Sequence, residues 1–259
     1  MNKKSCLALV LAIVMVVSLF TGCGTKEPET GTVTPIPTEA PTEAPTETPT
    51  EAPTEAPTEA PTEAPTEAPV ESNVSLGRME GGVYTNNYTG YGCTLDSNWV
   101  FQSAEELQEL PDNMEELFAD TELGEVTAKY TQINDMAADN QTDSSFINVI
   151  YTHVPLNELL AYATMTEEQI VDTTLAQKDL MISAYAQSGM QVSSMEKVVV
   201  NFLGEERVAI KTEADIQGYP YYILQIQDFQ LGTYGVTLTV SSFFQDNTQA
   251  LLDLFYSVG

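Results

Sequence analysis

The chain has 259 residues and carries 38 acidic side chains against 9 basic ones and a single histidine, for a net charge of −29. That balance leaves no basic patch able to displace counterions from a phosphate backbone, which argues against a nucleic-acid partner, and it repels anionic membranes and wall polymers. One histidine also excludes a multi-histidine metal site.

The first 22 residues read as an export signal. Lys3 and Lys4 form a short basic start, Leu7 to Phe20 is an apolar run without a charge, and the small residues Thr21 and Gly22 precede Cys23. At roughly 14 residues the run is short for a spanning helix, which needs about 20. The stretch Leu19-Phe20-Thr21-Gly22-Cys23 resembles a bacterial lipobox, with Phe20 where a leucine is usual. The resemblance implies that Cys23 is the lipidated first residue of the mature chain and carries at least a diacylglyceryl group. Several acyl chains hold a protein stably where one holds it marginally. The expected location is the extracellular face of the cell membrane, with the membrane as a partner through Cys23.

Residues 23–77 read as a disordered, Pro-rich spacer. From Pro37 to Ala68 the unit Pro-Thr-Glu-Ala occurs eight times, with Thr48 in place of one alanine. Proline at every fourth position removes the hydrogen bonds of helix and sheet and favours extended geometry in the residue before it. No side chain larger than alanine is offered to a core in these units, and the glutamates repel one another. Fully extended at ~3.1 Å per residue, the repeat reaches up to about 100 Å.

Residues 78–259 form the folded domain. Residues 72–259 hold 27 acidic and 6 basic side chains, a net −21. Cys6 lies in the signal and Cys23 is the anchor, so Cys93 alone belongs to the domain and no internal disulfide can form. Val83–Thr85 and Tyr91–Leu95 read as short strands. Tyr91, Cys93 and Leu95 alternate onto one face, which makes Cys93 a small buried hydrophobe. Trp99 follows as a core residue. Ser103 and Glu106 form a capping-box pattern, and Asp112 with Glu115 a related start, with Pro111 between two short helices. Their acids, Glu105, Glu106, Glu109, Glu115 and Glu116, read as solvent faces.

Lys129–Met136 and Phe146–Val154 read as a hairpin whose connection, Asp139-Asn140-Gln141-Thr142-Asp143, is a polar turn. Thr166 caps the longest helix, expected to end near Gly189, with Ile170, Val171, Leu175, Ile182 and Tyr185 in its apolar stripe. Four strands follow, at Val192–Phe202, Arg207–Asp215, Tyr221–Phe229 and Tyr234–Phe243, punctuated by Gly204, Gly218 and Gly232. Tyr222, Leu224 and Ile226 oppose Tyr221, Ile223 and Phe229, a pattern for a sheet buried on both faces. A last helix from Asp246 places Ala250, Leu251, Leu254, Phe255 and Val258 on one stripe. Short connections between successive strands predict an α+β domain, an α/β/α sandwich with a largely antiparallel sheet.

The domain resembles the PsbP-like family, named for the extrinsic protein of plant and cyanobacterial photosystem II. The resemblance rests on Tyr84-Thr85-Asn86, on Tyr91-Gly92-Cys93-Thr94-Leu95 leading to Trp99, and on Phe243-Phe244 with Leu251, Leu252, Phe255 and Val258. It covers residues 82–258 as a pattern of core positions. The chain also resembles lipoproteins of Gram-positive bacteria with a similar opening. The resemblance implies the sandwich fold; no functional residue carries over, because PsbP acts by binding partner proteins and fold alone does not transfer function.

Chemistry is sparse. His153 sits near a strand end before Val154-Pro155 and reads as structural. There is no Gly-x-Ser-x-Gly, phosphate loop, Cys-x-x-Cys or His-Glu-x-x-His. Asp135, Asp139 and Asp143 surround one hairpin connection, but they lack the calcium-loop spacing and read as an ordinary polar turn. Tyr219 and Tyr221 around Pro220 are candidates to meet a glycan or a protein. These observations assign no catalytic, cofactor-binding or metal-ligating residue and imply no cofactor. They point to a non-catalytic, surface-displayed interaction or accessory domain with a protein or glycan partner. The alternatives are a lipoprotein that binds a small molecule, peptide or cation, and behind it a carboxylate-dependent hydrolase.

Overall fold

The computed structural model describes residues 75–108, 130–229 and 234–259. The expected signal, Cys23, the spacer repeats, the second short helix from Asp112 and the turn at Gly232 lie outside the described residues.

Two antiparallel sheets form the scaffold. The larger has seven strands in the order β4-β5-β6-β10-β9-β8-β7. These are β4 (Trp99–Phe101), β5 (Gln132–Asn140), β6 (Phe146–His153), β7 (Met190–Phe202), β8 (Glu205–Ile216), β9 (Tyr219–Asp228) and β10 (Tyr234–Phe243). The smaller has the order β1-β2-β3-β11, with β1 (Arg78–Glu80), β2 (Val83–Asn86), β3 (Tyr91–Thr94) and β11 (Phe255–Ser257). Among the described residues four helices join them: α1 (Leu156–Tyr162), α2 (Glu167–Leu175), α3 (Lys178–Gln187) and α4 (Thr248–Leu252). A further helical stretch runs over 104–108, opened by Ser103 and Glu106 in the expected capping box, with Ser103 N to Glu106 Oε2 at 2.8 Å and Glu106 N to Ser103 Oγ at 3.3 Å.

The β7–β8 and β8–β9 connections show how glycine sets the hairpins. Leu203 and Gly204 both have positive φ (56° and 85°), as do Gln217 and Gly218 (58° and 89°). That is the type I′ pattern, whose twist matches the flanking strands and whose second position is easiest for glycine. The strand centres carry apolar residues at successive positions, so both faces of the large sheet are covered. On one face Ile150, Ile210, Tyr221 and Ile223 meet Val171 of α2 and Met181, Ala184 and Tyr185 of α3. On the other, Val149, Leu224, Leu238 and Val240 meet Tyr84, Tyr91 and Cys93 of the small sheet, together with Leu251 and Leu252 of α4. A satellite cluster stacks Tyr162 on Phe229 at 4.9 Å.

The α+β class with an antiparallel sheet is therefore present. Three boundaries differ from the reading of the sequence. The layer opposite α2 and α3 consists of the small sheet with α4 beside it, because Tyr84, Cys93 and Phe255 share one transverse row of that sheet and bury together. The long helix is two. The hydroxyls of Thr173 and Thr174 bond back to Gln169 O and Ile170 O at 2.8 and 3.2 Å just before the break, a bonding mode that bends helices. The closing helix stops at Leu252, leaving Ala250 exposed. Phe255 then joins β11 beside β3, where its ring meets Tyr91 at 5.7 Å and Phe202 at 5.9 Å.

Gly92 is required by the small sheet: a Cβ there would collide with the main-chain oxygen of Tyr84 across the β2–β3 pair. Gly92→Ala is expected to cost about 1–3 kcal/mol, the usual range for overpacking. Urea denaturation checks this, and an unchanged midpoint would refute it.

Candidate functional site

The most structured polar site is Asp135. β5 carries a register shift between Asn134, which pairs with Ile150, and Met136, which pairs with Val149. Asp135 is the extra residue of this β-bulge, and a bulge re-aims its side chain out of the normal alternation. Asp135 consequently points into the space between the two sheets and is 3% exposed. Three donors converge on its carboxylate. Gly77 N donates to Oδ1 at 2.6 Å, and Tyr84 OH and Asn86 Nδ2 each donate to Oδ2 at 2.6 Å. Asn86 Nδ2 also reaches Tyr151 OH at 2.6 Å, which brings β6 into the network. A Cβ on Gly77 would strike the Tyr84 ring, so glycine permits this approach.

Burial raises the Asp135 carboxyl above the usual carboxylate range, and the hydrogen bonds from Tyr84, Gly77 and Asn86 pull it part of the way back. Burial likewise raises the phenols of Tyr84, Tyr91 and Tyr151, with the Asp135 charge adding to each. The carboxylate is thus engaged by donors that themselves stay protonated, an arrangement for holding the small sheet on the large one. Cys93 is 0% exposed, and burial pushes its thiol up to about 12. This is the inert, core-packing thiol expected from the alternation of β3.

A cleft of about 390 Å³ lies beside the bulge. Leu76, Gly77 and Met79 form one wall, Ala104, Leu107 and Gln108 another, and residues Gln132 to Asp135 the base. Asn134 is 9% exposed. Its Nδ2 donates to Leu107 O at 3.2 Å, while its Oδ1 is buried without a partner. An unpaired buried acceptor is costly.

The remaining candidates separate. Asp139 and Asn140 belong to β5 and not to the turn as expected, because the strand runs four residues past Met136. Asp139 is buried and accepts from Gln102 Nε2 at 3.2 Å; burial, and secondarily the charge of Glu106, raises its carboxyl. Asp143 stays in the turn and accepts from Ser145 N at 2.9 Å. Asp135, Asp139 and Asp143 therefore have separate partners. Among the described residues no group of three or more His, Cys, Asp or Glu side chains is placed to hold a metal ion. His153 ends β6, and its ring packs edge-on against Tyr234 at 5.4 Å. Trp99 is half-buried against the core beneath the small sheet. Tyr221 is buried, its hydroxyl donating to Ser241 Oγ at 2.7 Å, whereas Tyr219 is exposed and meets Phe244 edge-on at 5.5 Å. Neither the bulge nor the cleft was visible in the sequence, where Asp135 is one acid among many.

No protein-family model matches the chain. No curated protein matches it. Among solved structures, the chain is similar to the solution structure of cyanobacterial PsbP (CyanoP) from Synechocystis sp. PCC 6803, with 11% identity over 75% of this chain and 100% of that one and a TM-score of 0.37. A likeness this distant says nothing about what the chain binds. Among the described residues no helix is long and apolar enough to cross a membrane.

The sign of the pH dependence follows from the raised Asp135 carboxyl. Above about pH 3.9 the unfolded chain ionises this group first. The folded state then binds the extra proton, and the stability contributed by Asp135 falls until the buried carboxyl ionises in turn. Relative to Asp135→Asn, which cannot titrate, the wild type is expected to lose stability as pH rises through the carboxyl range and to level off above it. Urea unfolding of both proteins over a pH series measures this, and a wild type that gains stability relative to Asp135→Asn as pH rises would refute it. Cys93 should resist iodoacetamide at pH 8 in the folded protein and react on unfolding; rapid native labelling would contradict its burial.

Proposed function

We infer that the protein is an exported lipoprotein, held at the extracellular face of the cell membrane through lipidated Cys23, whose proline-rich spacer carries a non-catalytic binding or accessory domain. The lipobox-like stretch ending at Cys23 supports the anchor, and the eight Pro-Thr-Glu-Ala-type units support a spacer that holds the domain away from the bilayer. The cleft beside β5 carries the reading of the domain. Its lining is mainly apolar with a few polar groups, as in binding sites generally. Asp135, the one acid that lines it among the described residues, is committed to three donors that belong to the protein. General acid–base work needs a carboxyl free to exchange its proton with a substrate, and a carboxylate committed in this way favours binding over hydrolysis.

The concave volume of about 390 Å³ favours a ligand in that cleft over a purely flat interaction surface. Two experiments test the two halves. In cells, the wild-type chain is expected to partition into the detergent phase of Triton X-114 and to incorporate labelled palmitate, whereas Cys23→Ser loses the label and moves to the aqueous phase or the medium. An unlabelled wild type in the aqueous phase would reject the anchor. For the domain, thermal unfolding of the full chain against a panel of peptides, wall glycans and cations should show a saturable rise with one class. Binding at 100 times Kd stabilises by about 2.7 kcal/mol. No shift with any class would reject a ligand-binding cleft.

A further inference from the structure

Four consecutive residues of β5, Gln132 to Asp135, line the same cleft. Side chains of successive strand residues point to opposite faces, so the feature that neighbours such as Ile133 and Asn134 have in common is the outer edge of the strand. β4 covers that edge from Ala138 to Asn140 and then ends, because the chain leaves the sheet at Gln102 towards the helix at 104–108. Among the described residues no strand pairs with β5 on this side before Ala138.

Two hydrogen bonds show which way the uncovered main chain faces. His153 N donates to Thr131 O at 2.8 Å, which turns Thr131, and by alternation Ile133, towards β6. On the far side of the bulge, Gln102 N donates to Ala137 O at 2.9 Å, so Ala137 faces away from β6. Between them the N–H and C=O groups of Gln132 and Asn134 also face away from β6, into the cleft. Met79 and Leu107 stand on the two walls beside it.

Building on the binding-domain reading, we propose that the cleft binds a short extended peptide, which adds as a strand along Gln132–Asn134 and continues the line that β4 abandons. The main-chain groups of Gln132 and Asn134 pair with the peptide backbone, and Met79 and Leu107 receive an apolar side chain. The available edge limits the ligand to about three paired residues at roughly 3.3 Å each. The bulge at Asp135 interrupts the regular edge, which keeps longer strands, including a second copy of this chain, from zipping along it. The net charge of −21 on residues 72–259 selects neutral or basic peptides over acidic ones.

The test uses the full chain in detergent, two peptides and hydrogen exchange read by NMR. The probe is the acetylated, amidated tetrapeptide Lys-Leu-Val-Lys; its twin is N-methylated at leucine and valine and lacks those main-chain donors. The tetrapeptide is expected to slow exchange at the Gln132 and Asn134 amides, and the twin to bind about tenfold more weakly, the loss of one or two net hydrogen bonds. Met79→Gln should weaken tetrapeptide binding, and because Met79 also packs against both core clusters the variant's binding is compared at a temperature well below its own unfolding midpoint. Equal binding of the two peptides, or no binding, overturns the proposal. So do Gln132 and Asn134 amides that are already as protected as those of β10 before peptide is added, since the edge is then occupied. In each of these cases a thermal shift with a glycan or cation would leave the binding-domain reading standing, and its absence as well would remove both.

Discussion

Asp135 is an acid buried where two sheets meet, and the arrangement of this domain follows from satisfying it. Removing a carboxylate from water costs several kcal/mol even after relaxation. Each hydrogen bond to an ionised group returns about 1.5–3 kcal/mol. Three donors, from Gly77, Tyr84 and Asn86, therefore offset part of the cost, and all three come from the N-terminal strand layer or its approach. The same contact thus fixes the small sheet against the large one, with Tyr151 of β6 drawn in through Asn86. Removing one donor would leave a buried oxygen short of partners, so the network holds together or fails together.

The bulge that aims Asp135 inwards also shapes the only part of β5 left uncovered among the described residues. On one side of it lies an acid locked between sheets. On the other lie Gln132 to Asn134, whose main chain faces the cleft. Structural rigidity and a candidate binding edge thus arise from one irregularity in one strand. This economy is common at sheet edges, where bulges both end pairing and re-aim side chains. The acidic clusters elsewhere do structural work. Glu168 and Asp172 hold Lys197 at 2.8 and 2.7 Å, tying α2 to β7. Glu167 pairs with Arg207, binding the start of α2 to β8.

Much of the scaffold was legible because it depends on local patterns. The capping boxes at Ser103 and Thr166, the strands from Met190 to Phe243 and the turns at Gly204 and Gly218 are short-range features, each with its own signature. The double-sided burial of β9 was equally plain, since Tyr221 to Ile226 offers apolar side chains to both faces. What failed were choices that distant partners decide. Phe255 and Leu254 fit a helical stripe, yet Phe255 pairs with Cys93 because the edge of β3 and the ring of Tyr91 are waiting for it. Asp139 looked like turn residue because the strand's end is set by β4 and β6 on either side.

The sequence by itself determined the apolar run before Cys23, the Pro-Thr-Glu-Ala repeat, the acidic balance, the lone core cysteine and an antiparallel α+β class. Charge, proline spacing and hydrophobic alternation are properties of neighbouring residues, readable without a fold. Only the tertiary structure decided that Asp135 turns into the space between the sheets while Asp139 is buried beside Gln102, and that Asn134 keeps a buried, unpaired oxygen. A bulge is a mismatch between two strands, and the loss of water around a carboxylate is a property of everything packed over it; neither exists until β5, β6 and the small sheet have met.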